Sequence, residues 1–140
     1  MALRRKYQPL IDIAVASGIT DLKISEHSNV LYISGTAPNG DVKNKLWDVY
    51  NQLDPNFISA DLILDIDLSP NVSGIQAKVI TESTNLNLRK GPGIEQLILG
   101  TVAKDEIILL IGRASSQWWL VRTADGREGY CYAQYIQPLV

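Results

Sequence analysis

Two rhythms of apolar residues divide this chain. Up to Asp67, helical and strand-like spacings alternate. Tyr7, Leu10, Ile11, Ala14 and Val15 recur at the i, i+3, i+4 interval of an amphipathic helix, and Gly18 supplies a stop. Leu22 and Ile24 then alternate with polar neighbours, Ser28-Asn29 reads as a turn, and Leu31 and Ile33 alternate again up to Gly35. That pattern predicts a hairpin. Pro38-Asn39-Gly40-Asp41 is a loop ending in a helix N-cap at Asp41. Val42, Leu46, Val49, Tyr50 and Leu53 mark one face of a second helix, with Trp47 beside it, and Asp54-Pro55-Asn56 ends it. A last strand over Ser59 to Asp67 sets Ile58, Ala60, Leu62, Leu64 and Ile66 against Asp61, Asp65 and Asp67. The predicted order is αββαβ, with two helices covering one face of a three-stranded sheet.

From Gln76 the helical period vanishes, and short alternating stretches separated by glycine predict an all-β barrel. Strands are expected over 77–81, at Leu86 and Leu88, and over 96–102, 107–114, 118–123 and 127–131. Gly91-Pro92-Gly93 is a sharp break, Ala124-Asp125-Gly126 a hairpin turn, and Gln134-Tyr135-Ile136 closes the barrel. The fold class is therefore α+β: an αββαβ domain over 1–68, a turn-rich linker over 69–75 and a barrel over 76–140.

Composition narrows the function. With 46% apolar and 20% charged residues, the chain has the make-up of a soluble globular protein. Thirteen basic residues against fifteen acidic ones give a net charge of −2, which argues against a nucleic-acid surface, since phosphate binding needs a concentrated positive field. No apolar run reaches the length of a membrane span, so no membrane insertion is expected. Arg4-Arg5-Lys6 resembles the basic start of a secretory signal, but Gln8, Pro9 and Asp12 interrupt the apolar stretch that should follow. The cytoplasm is the default compartment; a chain whose signal has been removed, and which belongs to the cell envelope, would read the same.

The N-terminal half resembles the BON domain, a small bacterial αββαβ module, on Asn29-Val30-Leu31-Tyr32-Ile33-Ser34-Gly35-Thr36, the second helix and the closing strand. It departs where Pro55-Asn56-Phe57-Ile58 stands in place of a usual glycine-valine pair. The second half resembles bacterial SH3 (SH3b) domains in five ordered segments. These are Leu86-Asn87-Leu88-Arg89-Lys90-Gly91-Pro92-Gly93, Leu99 to Glu106, Trp118-Trp119-Leu120-Val121-Arg122, Asp125 to Tyr132, and Tyr135-Ile136. Both resemblances imply interaction rather than catalysis.

Cys131 and His27 are the one cysteine and the one histidine, and they fall in different predicted domains. A nucleophile–base pair is therefore not expected, and neither is a thiolate metal cage, a metal site or a cofactor. The best candidate site is the aromatic cluster Trp118, Trp119, Tyr130, Tyr132 and Tyr135. Strand alternation puts Trp118 and Trp119 on opposite faces, and Trp119, which shares its face with Val121, is the expected core residue. The ligand-binding set is Asn85, Asn87, Arg89, Trp118, Tyr130, Tyr132 and Tyr135, although each aromatic could instead simply fill a small barrel. Arg89 has two readings as well: pairing with a ligand carboxylate, or holding its loop together. Asp61, Asp65 and Asp67 are a second candidate, for a hard cation, against the alternative of a solvated sheet surface. The leading expectation is a non-catalytic adaptor whose SH3b cleft recognises a peptide or protein partner. The alternatives are binding of cell-wall peptide (peptidoglycan), small-ligand or cation sensing through the BON-like half, and a subunit role in a larger assembly.

Overall fold

The computed structural model describes residues 2–139, and the chain divides into two compact units, Met1–Val72 and Ser73–Val140. The expected single first helix is two, α1 (Ala2–Lys6) and α2 (Gln8–Ala16), joined at Tyr7. Pro9 stands in the first turn of α2, where its missing N–H leaves no hydrogen bond unmade. Tyr7, Leu10, Ile11 and Ala14 are buried, whereas Val15, one residue and about 100° of turn beyond Ala14, faces solvent. Strands β1 (Thr20–His27) and β2 (Val30–Ala37) form the hairpin. Its two turn residues, Ser28 and Asn29, both have positive φ (53° and 64°), the type I′ geometry that matches strand twist.

Strand β3 (Leu62–Leu68) lies parallel to β2 in a sheet of order β1-β2-β3. A parallel neighbour needs a crossover, and α3 (Gly40–Leu53) supplies it. The N-cap is Asn39 rather than Asp41: its side chain accepts from the Val42 N–H at 2.9 Å, while Asp41 falls in the first turn, where a negative charge suits the helix dipole. Leu46, Trp47, Val49 and Tyr50 are buried, with Val42 and Leu53 at the margin. The closing strand is shorter than expected. Ala60 takes a positive φ of 56°, which breaks the extended run, so β3 begins at Leu62 and leaves Ile58 and Asp61 outside it. Within β3 the alternation holds: Leu62, Leu64, Ile66 and Leu68 are buried, and Ile63, Asp65 and Asp67 face outward.

The second unit contains β4 (Ile75–Val79), β5 (Leu86–Arg89), β6 (Ile98–Val102), β7 (Ile107–Arg113), β8 (Trp118–Arg122), β9 (Glu128–Tyr132) and β10 (Ile136–Pro138). They form one antiparallel sheet of order β10-β4-β7-β8-β9-β5-β6. Several expected boundaries move, and β4 ends at Val79, which leaves Thr81 outside it. Ile75, placed in the linker, opens β4, and β6 starts at Ile98 because Gln96 and Leu97 close the preceding loop through Gln96 N–H to Gly93 O and Lys90 N–H to Leu97 O. The core is aliphatic: Val79, Leu86, Leu88, Val102, Leu110 and Val121, among others, with Cys131. Where β9 passes β5, a Cβ on Gly129 would stand 2.9 Å from the Arg89 carbonyl oxygen, so this approach requires glycine.

Candidate functional site

A cleft of about 500 Å³ opens in the second unit. Its walls are the polar segment Thr81 to Asn85 that leads into β5, the outward residues Asn87 and Arg89 of β5, and the aromatic side chains Trp118, Tyr132 and Tyr135. Strand pairing brings the aromatics together: Trp118 of β8 is directly opposite Tyr132 of β9, and their rings stack with centroids 4.5 Å apart and planes 27° from parallel. A short 3-10 turn, Ala133–Tyr135, then folds Tyr135 edge-on against Tyr132, with centroids 6.2 Å apart and an interplanar angle of 79°. Cross-strand aromatic pairs of this kind fix one another's rotamers, and the cleft wall is accordingly preset.

Six of the seven expected ligand-binding residues, Asn85, Asn87, Arg89, Trp118, Tyr132 and Tyr135, line this cleft. Tyr130 does not. It is fully buried opposite Leu120, and burial, helped by the nearby Glu128 carboxylate, pushes its phenol well above the ordinary range. The alternation that puts Tyr130 and Tyr132 on one face of β9 says nothing about which end of that face is covered. The two tryptophans also differ from expectation. Trp119 does pack against the aliphatic core, but it is only half-buried and holds the Arg113 guanidinium over its ring at 4.7 Å. Trp118, expected to be the exposed one, is 9% exposed because Tyr132 covers its face.

Arg89 makes the contacts that its structural reading expects, while still lining the cleft. Its Nη1 donates to the carbonyls of Ile94 at 3.0 Å and Gln96 at 3.1 Å, which ties down the loop between β5 and β6. The residues that sequence reasoning missed are Thr81, Glu82, Ser83 and Thr84. The signal for them was present: five consecutive polar residues, Thr81 to Asn85, separate two apolar strands and end two positions before Asn87. The sequence pattern predicts Thr81 at the end of a strand. Thr81 is instead 4% exposed at the cleft, and its Oγ1 has no hydrogen-bond partner among the described residues.

The other two candidates change in character. Asp61 leaves the acidic row, because Tyr7 donates its hydroxyl to one carboxylate oxygen and Lys6 Nζ binds the other at 2.8 Å. Burial opposes ionisation of this carboxyl, yet the Lys6 and Tyr7 hydrogen bonds and the Lys6 charge outweigh it and hold the group below the usual carboxylate range. Asp61 is thus a tie between α1 and the approach to β3, and Asp61, Asp65 and Asp67 do not converge on one ion. Cys131 is buried in the barrel core, where desolvation pushes its thiol up to about 12 and keeps it protonated at neutral pH.

Residues 84–137 match the family model of the bacterial SH3 domain, less than half of the chain. The match contains Asn85, Asn87, Arg89 and the three cleft aromatics, and starts just after Ser83. It covers no part of the unit Met1–Val72. A search of curated proteins gives no match.

Proposed function

We propose that the chain is a non-catalytic, two-domain binding protein, a BON-like αββαβ domain followed by a bacterial SH3 domain whose cleft takes a peptide or protein partner. The observation that carries this reading is the preset aromatic wall of Trp118, Tyr132 and Tyr135 facing the neutral amides of Asn85 and Asn87 across one cleft. Apolar ring surface drives association, and fixed polar groups orient what binds. The protonated, buried Cys131 supports a role without covalent chemistry. The order of the first unit, αββαβ but for a first helix split in two at Tyr7, supports its likeness to BON domains. The cytoplasm is the compartment this reading assumes.

A second reading, binding of cell-wall peptide, draws support from the bacterial SH3 match itself. One experiment separates the two: crosslinked affinity purification of the full chain from fractionated native cells, beside Tyr132→Ala and the exposed-site variant Asn87→Ala. Recovery of one stoichiometric protein from the soluble fraction, lost in both variants, is the expected result. Recovery with the envelope, released by a muramidase, replaces the first reading with the second.

A further inference from the structure

Resting on the reading of this cleft as the binding site, we propose that it holds an uncharged, extended peptide segment by its backbone, with the Thr81 hydroxyl as the anchor. Three observations carry the proposal. Thr81 Oγ1 is buried without a partner among the described residues, a state that costs stability unless something completes it on binding. Residues 82–85 beside it are exposed, and the Lys104 ammonium holds the Glu82 carbonyl at 2.8 Å from outside. The proposed contact requires this segment to give way as a peptide enters, because the Thr81 hydroxyl is closed off in the free chain.

The row of side chains along the cleft has strand spacing. Asn85, Asn87 and Arg89 alternate with the buried Leu86 and Leu88, so neighbours in the row are roughly 7 Å apart. An extended peptide repeats its amides on one side at the same interval. Each asparagine amide both donates and accepts, as does the Thr81 hydroxyl, which suits alternating N–H and C=O groups. Glu82 and Arg89 are the charged lining residues, one of each sign, and Arg89 is already engaged by Ile94 and Gln96. The cleft therefore carries no surplus charge to select a charged segment.

The rings argue against a glycan as occupant. Stacking of a sugar needs an open aromatic face, but Trp118 and Tyr132 cover each other at 4.5 Å and Tyr135 meets Tyr132 at 79°. Trp118 and Tyr132 thus close one ring face of each other, which narrows the flat surface left for a sugar.

The test selects a random peptide library displayed on phage against the full chain. The winning sequence, resynthesised with acetylated and amidated ends, is then titrated into the wild type, Thr81→Val, Thr81→Ser, Asn87→Ala and Tyr132→Ala, with chitotetraose as the sugar probe. The expected result is an uncharged common segment whose affinity falls about five- to thirty-fold in Thr81→Val, the worth of one buried hydrogen bond, and recovers in Thr81→Ser. Thr81→Val should melt no lower than wild type, since it removes a hydroxyl that has no partner among the described residues. If the blocked peptide loses affinity in Asn87→Ala and Tyr132→Ala but not in Thr81→Val, the cleft stands and the anchor is refuted. Winners that bind equally well to all four variants refute the cleft itself. A charged common segment, or chitotetraose binding that Asn87→Ala abolishes, overturns the proposed class of ligand.

Discussion

Replacing Arg89 with alanine tests whether this residue holds a loop or holds a ligand. The side chain makes two charge-assisted hydrogen bonds from one nitrogen, to Ile94 O at 3.0 Å and Gln96 O at 3.1 Å, the second of them partly buried. Such bonds contribute roughly 1.5–3 kcal/mol each when well shielded. The Ile94 bond is exposed and counts for less, so the pair is worth about 2 kcal/mol. For a unit of this size that corresponds to a drop of about 10 °C in its melting temperature. It also corresponds to about a thirty-fold rise in the opening of the loop. Hydrogen exchange reads the second quantity directly. The amides of Lys90 and Gln96, which donate to Leu97 O at 2.8 Å and Gly93 O at 3.1 Å, should lose protection first, while those of β8 and β9 change only by the global shift. Arg89→Lys, which keeps the charge but lacks the rigid guanidinium, should fall between the two. Unchanged exchange at Lys90 and Gln96 with unchanged melting would falsify the loop-tie assignment. Combined with loss of peptide binding, it would return Arg89 to the ligand-binding set.

Two further outcomes follow from the packing. Asp61 is held below its ordinary carboxyl value of 3.8 in the folded state, so its contribution is complete above that value and is lost as pH falls through the depressed one. The first unit should lose stability on acidification below about pH 4, and Asp61→Asn should flatten that part of a pH-dependent unfolding curve; an equally steep loss in the variant would remove Asp61 as the cause. Gly129→Ala would force a Cβ to within 2.9 Å of the Arg89 carbonyl oxygen, where only backbone movement gives relief. A destabilisation of about 1–3 kcal/mol, read by denaturant melting, is expected, and a neutral result would show that β5 and β9 separate without cost.

Much of the architecture was legible from period alone. The change from helical to strand spacing near Gln76, the turn at Ser28-Asn29 and the buried row Leu62, Leu64, Ile66 depend on local rules, and the structure follows them. The boundaries that moved did so for backbone reasons that side-chain pattern does not carry. Asn39 reaches the Val42 N–H, so it and not Asp41 caps α3, and the positive φ of Ala60 ends the extended chain before β3. In the site, an aromatic-rich C-terminal segment named the wall, but not which aromatic is covered.

The classes of element in each half and the bacterial SH3 likeness of residues 84–137 were legible from the chain, because apolar period, turn residues and the ordered bacterial SH3 segments are all written in neighbouring positions. Folding settled that Tyr130 is buried while Tyr132 lines the cleft, that Arg89 Nη1 reaches the Ile94 and Gln96 carbonyls, and that Asp61 answers to Lys6 and Tyr7. It also left the Thr81 hydroxyl without a partner among the described residues. Each of these is a relation between residues from separate segments, often far apart in the chain, and burial and hydrogen bonding are settled by what folding brings against a side chain rather than by what precedes and follows it.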